Sequence, residues 1–449
     1  MNTMQRARVA EDLVRKFAAA VRGAQLYAPG HPLVTRSISL LVDTLTLVHA
    51  NASSIAIGIV GENLVVGDLP IARAMETFGE LMRRLEQLGI ERIVIDRGVE
   101  HDELVRLVRA LAKADAGSAG DLEKLPHVRV GRLQVEERVD APGDMGTFKR
   151  LYDDAVSVAS TLWESANVEG IPDADAARGM VDSLAQAVAQ NRTALLALTA
   201  LKNYDNYTFT HMVNVSILTM GQARGLSVEG ALLREFGLAA LMHDIGKVRT
   251  PAEILNKPDK LTDSEFDILK RHTVDGAEIL RNTPEMPALA PVVAFEHHLR
   301  ADGTGYPLGV NRPVLNLGTI LCGIADVYDA MRSQRVYQQA FPSERILAVL
   351  QRNDGTQFDQ HLVRRFSQLV GIFPAGNIVR LDSGEVAVVL KPYAADPYRP
   401  RVRVVIAADG TKLENHQDVN LWEPTEADGR SIVRPLDPAD FDFDPLSHL

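Results

Sequence analysis

The run of helical patterns in the middle of the chain constrains the fold more than any other feature of the sequence. Between Thr147 and about Gly371, apolar residues recur at spacings of three and four, and the alternation typical of strands nearly vanishes. Short strand-like runs lie on both sides, at residues 54–67 and 379–406. The sequence therefore predicts a multidomain chain, in which a central all-α helical bundle is preceded by an α+β domain and followed by a small all-β domain.

Changes in pattern along the 449 residues set the expected domain boundaries. We expect an α+β regulatory or dimerisation domain over residues 1–146, the helical domain over 147–371 and a small β domain over 372–434. Residues 435–449 carry four aspartates and no lysine or arginine, so we expect an acidic, poorly ordered tail. Within the helical domain, three long helices are predicted over Ala174–Ala200, Val228–Asp244 and Asp263–Arg281.

Charge and cysteine content restrict the kinds of partner and the cellular compartment that we expect for this protein. The chain has 48 basic and 59 acidic residues, a net charge of −11, which argues against a broad basic surface for long nucleic acids. No apolar run is long enough to span a bilayer, and charges interrupt the first residues, so neither a membrane segment nor a signal peptide is predicted. Cys322 is the single cysteine, as suits a reducing compartment. We expect a cytoplasmic protein that binds neither a membrane nor long nucleic acid.

Histidines and aspartates concentrate in the helical middle of the chain. Several of these histidines share a helical face with apolar residues, which predicts burial, and a buried ionisable group needs a partner. A single histidine on such a face is more often a hydrogen-bonded core residue than a metal ligand. A shared metal site, however, would provide partners for all of them together. The candidate ligands are His211, His243, Asp244, His272, His297, His298 and Asp326.

Two adjacent pairs, His243 with Asp244 and His297 with His298, favour the metal interpretation. Neighbouring residues on a helix point roughly 100° apart, so His243 and Asp244 cannot both be hidden in one apolar contact. They can coordinate two metal ions, with the Asp244 carboxylate as the bridging ligand. Imidazole and carboxylate ligands suit Fe, Mn or Zn, and the absence of cysteine ligands argues against a tetrathiolate zinc site.

Basic and turn-forming residues surround the candidate ligands. Lys247 follows Asp244 by three residues, and Gly246 between them allows a close backbone approach or an exit from the helix. Arg300 follows the histidine pair and precedes a turn-rich loop at residues 302–307. The Gly-x-Gly of that loop is more often a plain turn than a phosphate site. Arg335 follows nine residues after Asp326 and adds another cation.

The motifs in this region resemble the HD-GYP subgroup of the HD metal-dependent phosphohydrolases. His-Asp-Ile-Gly-Lys at residues 243–247 is followed by His272, then by a segment from His297 to Pro307 that ends in Gly-Tyr-Pro, and by Ala-Asp-Val-Tyr-Asp-Ala at residues 325–330. The resemblance covers roughly residues 190–370. It implies an HD-type helical bundle that hydrolyses cyclic di-GMP to pGpG, and in some members to GMP.

The resemblance also implies roles for individual residues. It assigns one metal to His211, His243, Asp244 and Asp326, and the second metal to His272, His297 and His298, with Asp244 as the bridge. It assigns Lys247 to the scissile phosphate and Arg335 to phosphate binding, and Arg300 would hold the other phosphate or a base. Gly305, Tyr306 and Pro307 would shape the site and could dock protein partners.

Two positions depart from the family pattern. Some members carry a glutamate four residues before the first histidine, where it supports a third metal, and this chain has Tyr207 there. We therefore expect two divalent ions, with Fe or Mn favoured over Zn. The residue after the histidine pair is usually glutamate and here is Leu299, a change that can alter hydrogen bonding behind the ligands.

The function predicted from these residues is a phosphodiesterase that cleaves cyclic di-GMP with a metal-bridging hydroxide. Two alternatives stay open: a receptor that binds the cyclic dinucleotide without cleaving it, and a phosphodiesterase for another cyclic dinucleotide. A homodimer is the expected assembly. The negative total charge does not exclude a small dianion as substrate, because two divalent ions, Lys247 and Arg335 would make the pocket positive.

Overall fold

The computed structural model divides the chain into two compact units. The first contains Met1–Glu136 with Gly225–Leu232, and the second contains Glu137–Arg224 with Leu233–Leu449. The structure describes residues 3–449 apart from 29–30, 51–53, 61–62, 67–68, 72–73, 114–121, 123–124, 132–144, 200–206, 227, 301, 303, 311–314, 333–340, 342, 353–356 and 424–429. No helix in this described part is both long and apolar enough to cross a bilayer.

The first unit is an α+β domain with one antiparallel sheet, as predicted. Its strands pair in the order β3-β2-β1-β4-β5. The buried faces of α1 to α4 and of the sheet share one apolar core, which includes Phe17, Leu41 and Ile93. The elements are α1 (Thr3–Leu26), α2 (Pro32–His49), β1 (Ser54–Val60), β2 (Asn63–Val66), β3 (Leu69–Ile71), α3 (Ala74–Gln87), β4 (Arg92–Asp96), α4 (His101–Lys113) and β5 (Val128–Gly131).

The second unit begins with the predicted helical bundle. Its helices are α5 (Met145–Glu169), α6 (Ala174–Gln190), α7 (Arg192–Leu198), α8 (Tyr207–Gly225), α9 (Gly230–Leu241), α10 (Ala252–Leu255), α11 (Asp263–Lys270), α12 (His272–Asn282), α13 (Leu289–Glu296), α14 (Leu317–Arg332), α15 (Ser343–Arg352) and α16 (Gln360–Val370). A short 3-10 helix, Ile245–Arg249, lies between α9 and α10. The described residues of α8 are buried on nearly every side, which makes it the central helix of the bundle.

The three long helices predicted from the pattern are each shorter than expected. The first breaks at Asn191, whose extended backbone ends α6 and whose side chain accepts from the Ala194 amide to begin α7. The second ends at Leu241, so His243 and Asp244 lie in the turn that leads into the 3-10 helix. The third divides at Arg271 into α11 and α12. Apolar periodicity continues across each break, and for that reason the pattern does not reveal them.

A capping box formed by Thr262 and Glu265 begins α11. The Glu265 amide donates to the Thr262 hydroxyl, and the Glu265 carboxylate accepts from the Thr262 amide. Lys257 donates to the same carboxylate at 2.6 Å. The two hydrogen bonds between Thr262 and Glu265 fix where α11 begins. Helix α11 ends one residue before Arg271, and His272 then begins α12.

The chain ends in the predicted all-β part, a five-stranded antiparallel sheet. Its strands pair in the order β10-β6-β7-β8-β9. One face buries Val379, Ala387 and Val404, and the other buries Ile378 and Val388. The strands are β6 (Ile378–Leu381), β7 (Val386–Lys391), β8 (Arg401–Ile406), β9 (Lys412–Asn420) and β10 (Ile432–Leu436).

The acidic tail is ordered, contrary to the expectation from its charge. β10 extends to Leu436 and pairs with β6, and two short 3-10 helices follow at Pro438–Asp440 and Pro445–His448. Phe441 and Phe443 pack against the sheet, and Leu446 is buried. These apolar contacts stabilise the folded tail, since burial of each large apolar side chain contributes about 2 kcal/mol. This stabilisation outweighs the repulsion between the aspartates.

The 3-10 helix lies against α12 at one point of backbone contact. A Cβ added to Gly246 would overlap the His272 carbonyl oxygen and the Gly276 nitrogen, and would lie 2.8 Å from the Gly276 Cα. Because backbone atoms cannot move aside as side-chain ends do, only glycine fits at residue 246. This contact holds the turn that carries Asp244 against the helix that begins with His272.

We expect Gly246→Ala to destabilise the helical bundle by about 3 kcal/mol, since the added methyl group overpacks a contact between two backbones. Gly179→Ala is the matched control, because Gly179 lies within α6 and a Cβ there meets no atom within 4 Å. The control should be stabilising by about 0.5 kcal/mol. Urea denaturation monitored by circular dichroism measures both changes, and equal stability of the two variants would contradict this account.

Candidate metal centre

Seven predicted ligands converge from five places in the helical bundle. His211 lies in α8, His243 and Asp244 in the turn after α9, and His272 at the start of α12. His297 and His298 follow the last residue of α13, and Asp326 lies in α14. Three overlapping groups of three have their ligand atoms within 4.8 Å of one another: His211, His243 and Asp326; His243, Asp244 and His297; and His272, His297 and His298.

Asp244 lies between two sets of histidines and presents a different oxygen to each. Its Oδ2 is 3.4 Å from His243 Nε2 and 3.8 Å from His211 Nε2. Its Oδ1 is 3.4 Å from His272 Nε2 and 3.8 Å from His297 Nε2. A carboxylate in this position can bridge two cations.

Asp326 belongs to the His211 side of the centre. Its Oδ1 is 3.1 Å from His211 Nε2 and 3.9 Å from His243 Nε2. The two aspartates and these two histidines therefore form one set of ligand atoms. On the other side, His272 Nε2 and His297 Nε2 are 3.3 Å apart, and the rings of His297 and His298 are 4.1 Å apart between centroids.

Backbone carbonyl groups orient three of the histidine rings. The Nδ1 atoms of His243 and His272 each lie 2.7 Å from the carbonyl oxygen three residues earlier, and His297 Nδ1 lies 3.0 Å from the Ala294 oxygen. Because a carbonyl oxygen can only accept, Nδ1 carries a proton, and in the neutral form of each ring the lone pair is therefore on Nε2. All three Nε2 lone pairs are thus directed into the centre.

A carboxylate orients the fourth ring. His211 Nδ1 is 2.8 Å from Asp329 Oδ2, and Asp329 Oδ1 accepts from Asn214 and Arg332 at 3.0 Å each. The Tyr152 hydroxyl donates to the Asn214 side chain at 2.7 Å. This buried network joins α5, α8 and α14, and it directs His211 Nε2 toward Asp244 and Asp326.

The sequence-based prediction missed this network. Asp329 follows Asp326 by three residues and so lies near it on α14, a spacing that could have indicated a supporting carboxylate. Asn214 and Tyr152 carry no comparable signal, since their roles depend on how α5 and α8 pack.

Two buried atoms test whether the centre suits a metal ion. His243 Nε2 and Asp244 Oδ1 are buried and have no hydrogen-bond donor or acceptor among the described residues. Leaving such atoms unsatisfied costs about 1–3 kcal/mol each, so a folded protein rarely keeps them without a partner. Five imidazoles and two carboxylates are borderline and hard donors that suit divalent first-row metals. The donor set therefore fits a divalent cation at this position.

The protonation states of most residues at the centre also suit ligands. Burial lowers the pKa of His272 to about 3 and that of His298 to about 4, and burial together with His298 holds the pKa of His297 well below its usual value. Burial alone would raise the pKa of Asp244, but Lys247 and His243 hold it well below its usual range. These three histidines are neutral and the carboxylate is ionised at neutral pH.

His211 differs from the other histidines. Burial lowers its pKa, but Tyr207, Asp326 and Asp329 outweigh burial and raise the pKa well above the usual value. Without a metal ion, His211 carries the positive charge that the neighbouring carboxylates require. A bound cation would take the place of that proton. The Tyr207 ring, which stands where some family members have glutamate, stacks on the His211 ring at 5.6 Å.

Lys247 is a cation in direct contact with one of the candidate ligands. It lies in the 3-10 helix and donates to Asp244 Oδ2. Burial lowers its pKa, but Asp244 outweighs burial and the net shift is upward, so the ammonium group stays charged. The side chain is partly exposed and therefore accessible to a ligand that enters the centre.

The Gly-Tyr-Pro segment covers one side of the centre. The Tyr306 ring lies 4.5 Å from the His298 ring and 6.0 Å from the His272 ring, between centroids. Gly305 has a φ of +101°, and a Cβ there would overlap the His298 carbonyl oxygen. The loop can therefore fold back on the histidine pair only with glycine at this position, and that fold places Tyr306 against the ligands.

Of the two arginines predicted to bind the substrate, the structure describes Arg300 and does not describe Arg335. Arg300 lies in the same loop, where it donates to Gln357 at 3.2 Å and lies 3.3 Å from Asp302. Arg335 lies outside the described residues, so its predicted phosphate contact stays a prediction. Leu299 pairs as an isolated β-bridge with Gly305, which closes the base of the loop.

Comparison with known proteins identifies two domains in the chain. Residues 183–362 match the family model of the HD domain, and residues 378–443 match that of a KOW domain associated with HD domains. The second match covers the C-terminal sheet through β10 and into the segment that we expected to be disordered. Both matches agree with the predicted order of a helical domain followed by an all-β domain.

Several curated proteins resemble the chain. A cyclic di-GMP phosphodiesterase of Pseudomonas aeruginosa is 37% identical over 274 residues, which cover 61% of this chain and 66% of that protein. A cyclic di-GMP phosphodiesterase of Vibrio cholerae is 34% identical over 206 residues, 42% of each chain. A 3′3′-cGAMP-specific phosphodiesterase of Vibrio cholerae is 34% identical over 168 residues, 37% of this chain and 36% of that protein.

The chain thus spans less than two thirds of the length of each of these relatives. The matched part includes the HD domain, in which the His-Asp pair at residues 243–244 is followed by the Gly-Tyr-Pro segment at residues 305–307. Residues 183–362 therefore form an HD domain, and this part of the chain is similar to proteins named as cyclic di-GMP phosphodiesterases.

Proposed function

We propose that the protein is a metal-dependent phosphodiesterase that hydrolyses cyclic di-GMP to pGpG. The position of Asp244 between two sets of histidines carries this proposal, because two-metal centres of this kind catalyse phosphodiester hydrolysis. The relatives named as cyclic di-GMP phosphodiesterases support the choice of substrate.

We propose that two divalent ions, Fe or Mn rather than Zn, bind at the centre. His211, His243, Asp244 and Asp326 would hold one ion, and His272, His297, His298 and Asp244 would hold the other. When bound, such ions supply a nucleophilic hydroxide at neutral pH and neutralise charge on the phosphoryl oxygens. Two rather than three ions are proposed because Tyr207 offers no carboxylate.

The protein's own groups bind and orient the substrate. Lys247 stays protonated and can donate a hydrogen bond to a non-bridging phosphoryl oxygen as negative charge develops there. Tyr306, packed on the histidines, can exclude water from one side of the centre and provide a ring face for a base. Arg300 is held by Asp302 and Gln357 in a position from which it can reach a second phosphate. Arg335 is proposed for the same role.

Two alternatives are distinguished by direct assays. If the protein were a receptor that does not cleave its ligand, single-turnover incubation with cyclic di-GMP would yield bound ligand and no pGpG. If it preferred another cyclic dinucleotide, as the 3′3′-cGAMP-specific relative does, initial rates with 3′3′-cGAMP would exceed those with cyclic di-GMP. We expect cyclic di-GMP to be the faster substrate, and the same chromatograms would reveal any GMP.

Two further proposals concern the setting of this activity. Docking of protein partners at the Gly-Tyr-Pro segment is proposed from the resemblance of this segment to the signature loop of the HD-GYP subgroup. The lone buried thiol of Cys322 supports a reducing, cytoplasmic location.

We expect Asp244→Asn to lose about one metal equivalent and to lower cyclic di-GMP hydrolysis by about a thousandfold, because the amide is a poor bridging ligand. Asp267→Asn on the exposed surface of α11 is the control and should keep both properties. Elemental analysis of protein purified without oxygen, and chromatography of the products formed with Mn²⁺ or Fe²⁺, measure the outcome. Full turnover by the Asp244 variant would exclude the proposed site.

We expect Asp329→Asn to weaken metal binding by about 10–100-fold without unfolding the bundle. The amide has the same shape, but its NH₂ group must face either His211 Nδ1 or the donors Asn214 and Arg332, so one hydrogen bond becomes a donor–donor contact. Competition with a chelator of known affinity measures the change, and circular dichroism verifies folding. Unchanged affinity would mean that Asp329 does not position His211.

We expect the metal-free protein to lose stability as the pH falls from 6.5 to about 4. His272 and His298 have folded-state pKa values of about 3 and about 4, so in this range the unfolded chain binds more protons than the folded protein. His211 does not oppose the loss, because its pKa is raised and its contribution is complete below pH 6.5. Denaturant titrations of chelator-treated protein should show a smaller pH dependence in His272→Gln and an unchanged one in the exposed-site control His361→Gln.

A further inference from the structure

Helix α2 in the first unit carries three exposed leucines at intervals of seven residues. Leu33, Leu40 and Leu47 have 49%, 42% and 66% of their surface exposed. Seven residues are nearly two helical turns, so the three side chains form one strip about 21 Å long. The strip is separate from the core-facing side of the helix, which buries Val34, Ile38, Leu41 and Leu45. We call it the leucine strip.

Apolar surface next to the leucine strip enlarges it. Leu26, the last residue of α1, is 67% exposed, and Tyr27 is 42% exposed. The Tyr27 ring stacks on His31, which caps the start of α2, so it lies close to the Leu33 end of the strip. Single exposed leucines are common, but five large apolar side chains in one place are typical of an interaction surface.

The charges within the leucine strip indicate what covers it. Arg36 and Asp43 are exposed, and they lie between the leucines at three residues after Leu33 and Leu40. Neither has an ion-pair or hydrogen-bond partner within the part of the chain that the structure describes. The strip therefore reads Leu, Arg, Leu, Asp, Leu, with a positive charge four residues before Leu40 and a negative charge three residues after it.

This pattern is complementary to itself when two copies of α2 run antiparallel about a two-fold axis at Leu40. In that arrangement Leu33 of one copy faces Leu47 of the other, and the two Leu40 side chains face each other. Arg36 of each copy then faces Asp43 of the other, which gives two ion pairs of opposite charge. In a parallel arrangement Arg36 of one copy and Asp43 of the other would lie on opposite flanks of the contact and at different heights, so neither ion pair could form.

We propose that the leucine strip of α2 is the contact between two copies of this chain, in an antiparallel helix pair centred on Leu40. The interface is isologous, as expected for a two-fold dimer, because the same strip serves on both partners. It gives the first unit a role in assembly that is independent of the metal centre, and its test does not depend on the proposed hydrolysis.

Leu40→Glu is the variant that tests the apolar contact. It places two carboxylates against each other at the axis, and we expect the dimer dissociation constant to rise by about tenfold or more. Ser39→Glu is the matched control, because Ser39 is exposed on the same helix but points about 100° away from Leu40. Sedimentation velocity of the full chain over a range of micromolar concentrations measures both. A wild-type chain that stays monomeric, or equal effects of the two substitutions, would overturn the proposal.

Charge reversal tests the antiparallel geometry without removing a leucine. Arg36→Asp puts aspartate opposite aspartate in its own homodimer, and Asp43→Arg puts arginine opposite arginine, so we expect each variant alone to dimerise more weakly. A mixture of the two should form a heterodimer, because both facing pairs then have opposite charges. Failure of the mixture to restore dimerisation, with both variants folded by circular dichroism, would exclude this arrangement.

Discussion

The arrangement of the whole helical bundle converges on one carboxylate group. Asp244 faces two histidines with one oxygen and two with the other, at 3.4–3.8 Å. This requires the turn after α9 to lie against the start of α12, which the contact between Gly246 and Gly276 makes possible. It also requires α8, α13 and α14 to present their ligands from three further directions. The bundle is therefore arranged around the charged carboxylate of Asp244, whose burial among apolar side chains alone would be unfavourable.

Burial of so many ionisable groups is unfavourable unless each has a partner, and the structure provides partners at several levels. Three histidines are oriented by backbone carbonyl oxygens, and His211 is oriented by Asp329, which is itself held by Asn214 and Arg332. Lys247 compensates part of the charge on Asp244. His243 Nε2 and Asp244 Oδ1 have no hydrogen-bond partner among the described residues, and a metal ion at the centre would provide one.

The sequence was sufficient to predict the three-part architecture and the residues that meet at the centre. Histidine and aspartate are rare on apolar helical faces, so each stands out, and the Gly-Tyr-Pro segment adds a specific motif. Asn214 and Tyr152 could not be predicted, because their contact with the ligand network depends on how three helices pack. Nothing in the sequence distinguishes them from other polar residues. The helix break at Asn191 and the ordered tail were missed for a related reason: both depend on local capping or on apolar contacts that periodicity and charge do not report.

The candidate ligands come from elements that are far apart in the sequence, from α8 to α14. In an unfolded chain the complete set of ligands is not assembled, so cations would bind the folded state more tightly than the unfolded state. Folding and metal binding are then thermodynamically linked, and saturating metal adds to stability by an amount set by its concentration relative to its dissociation constant. The supply of the metal that binds at this centre would thus influence how much folded protein persists as well as how much is active.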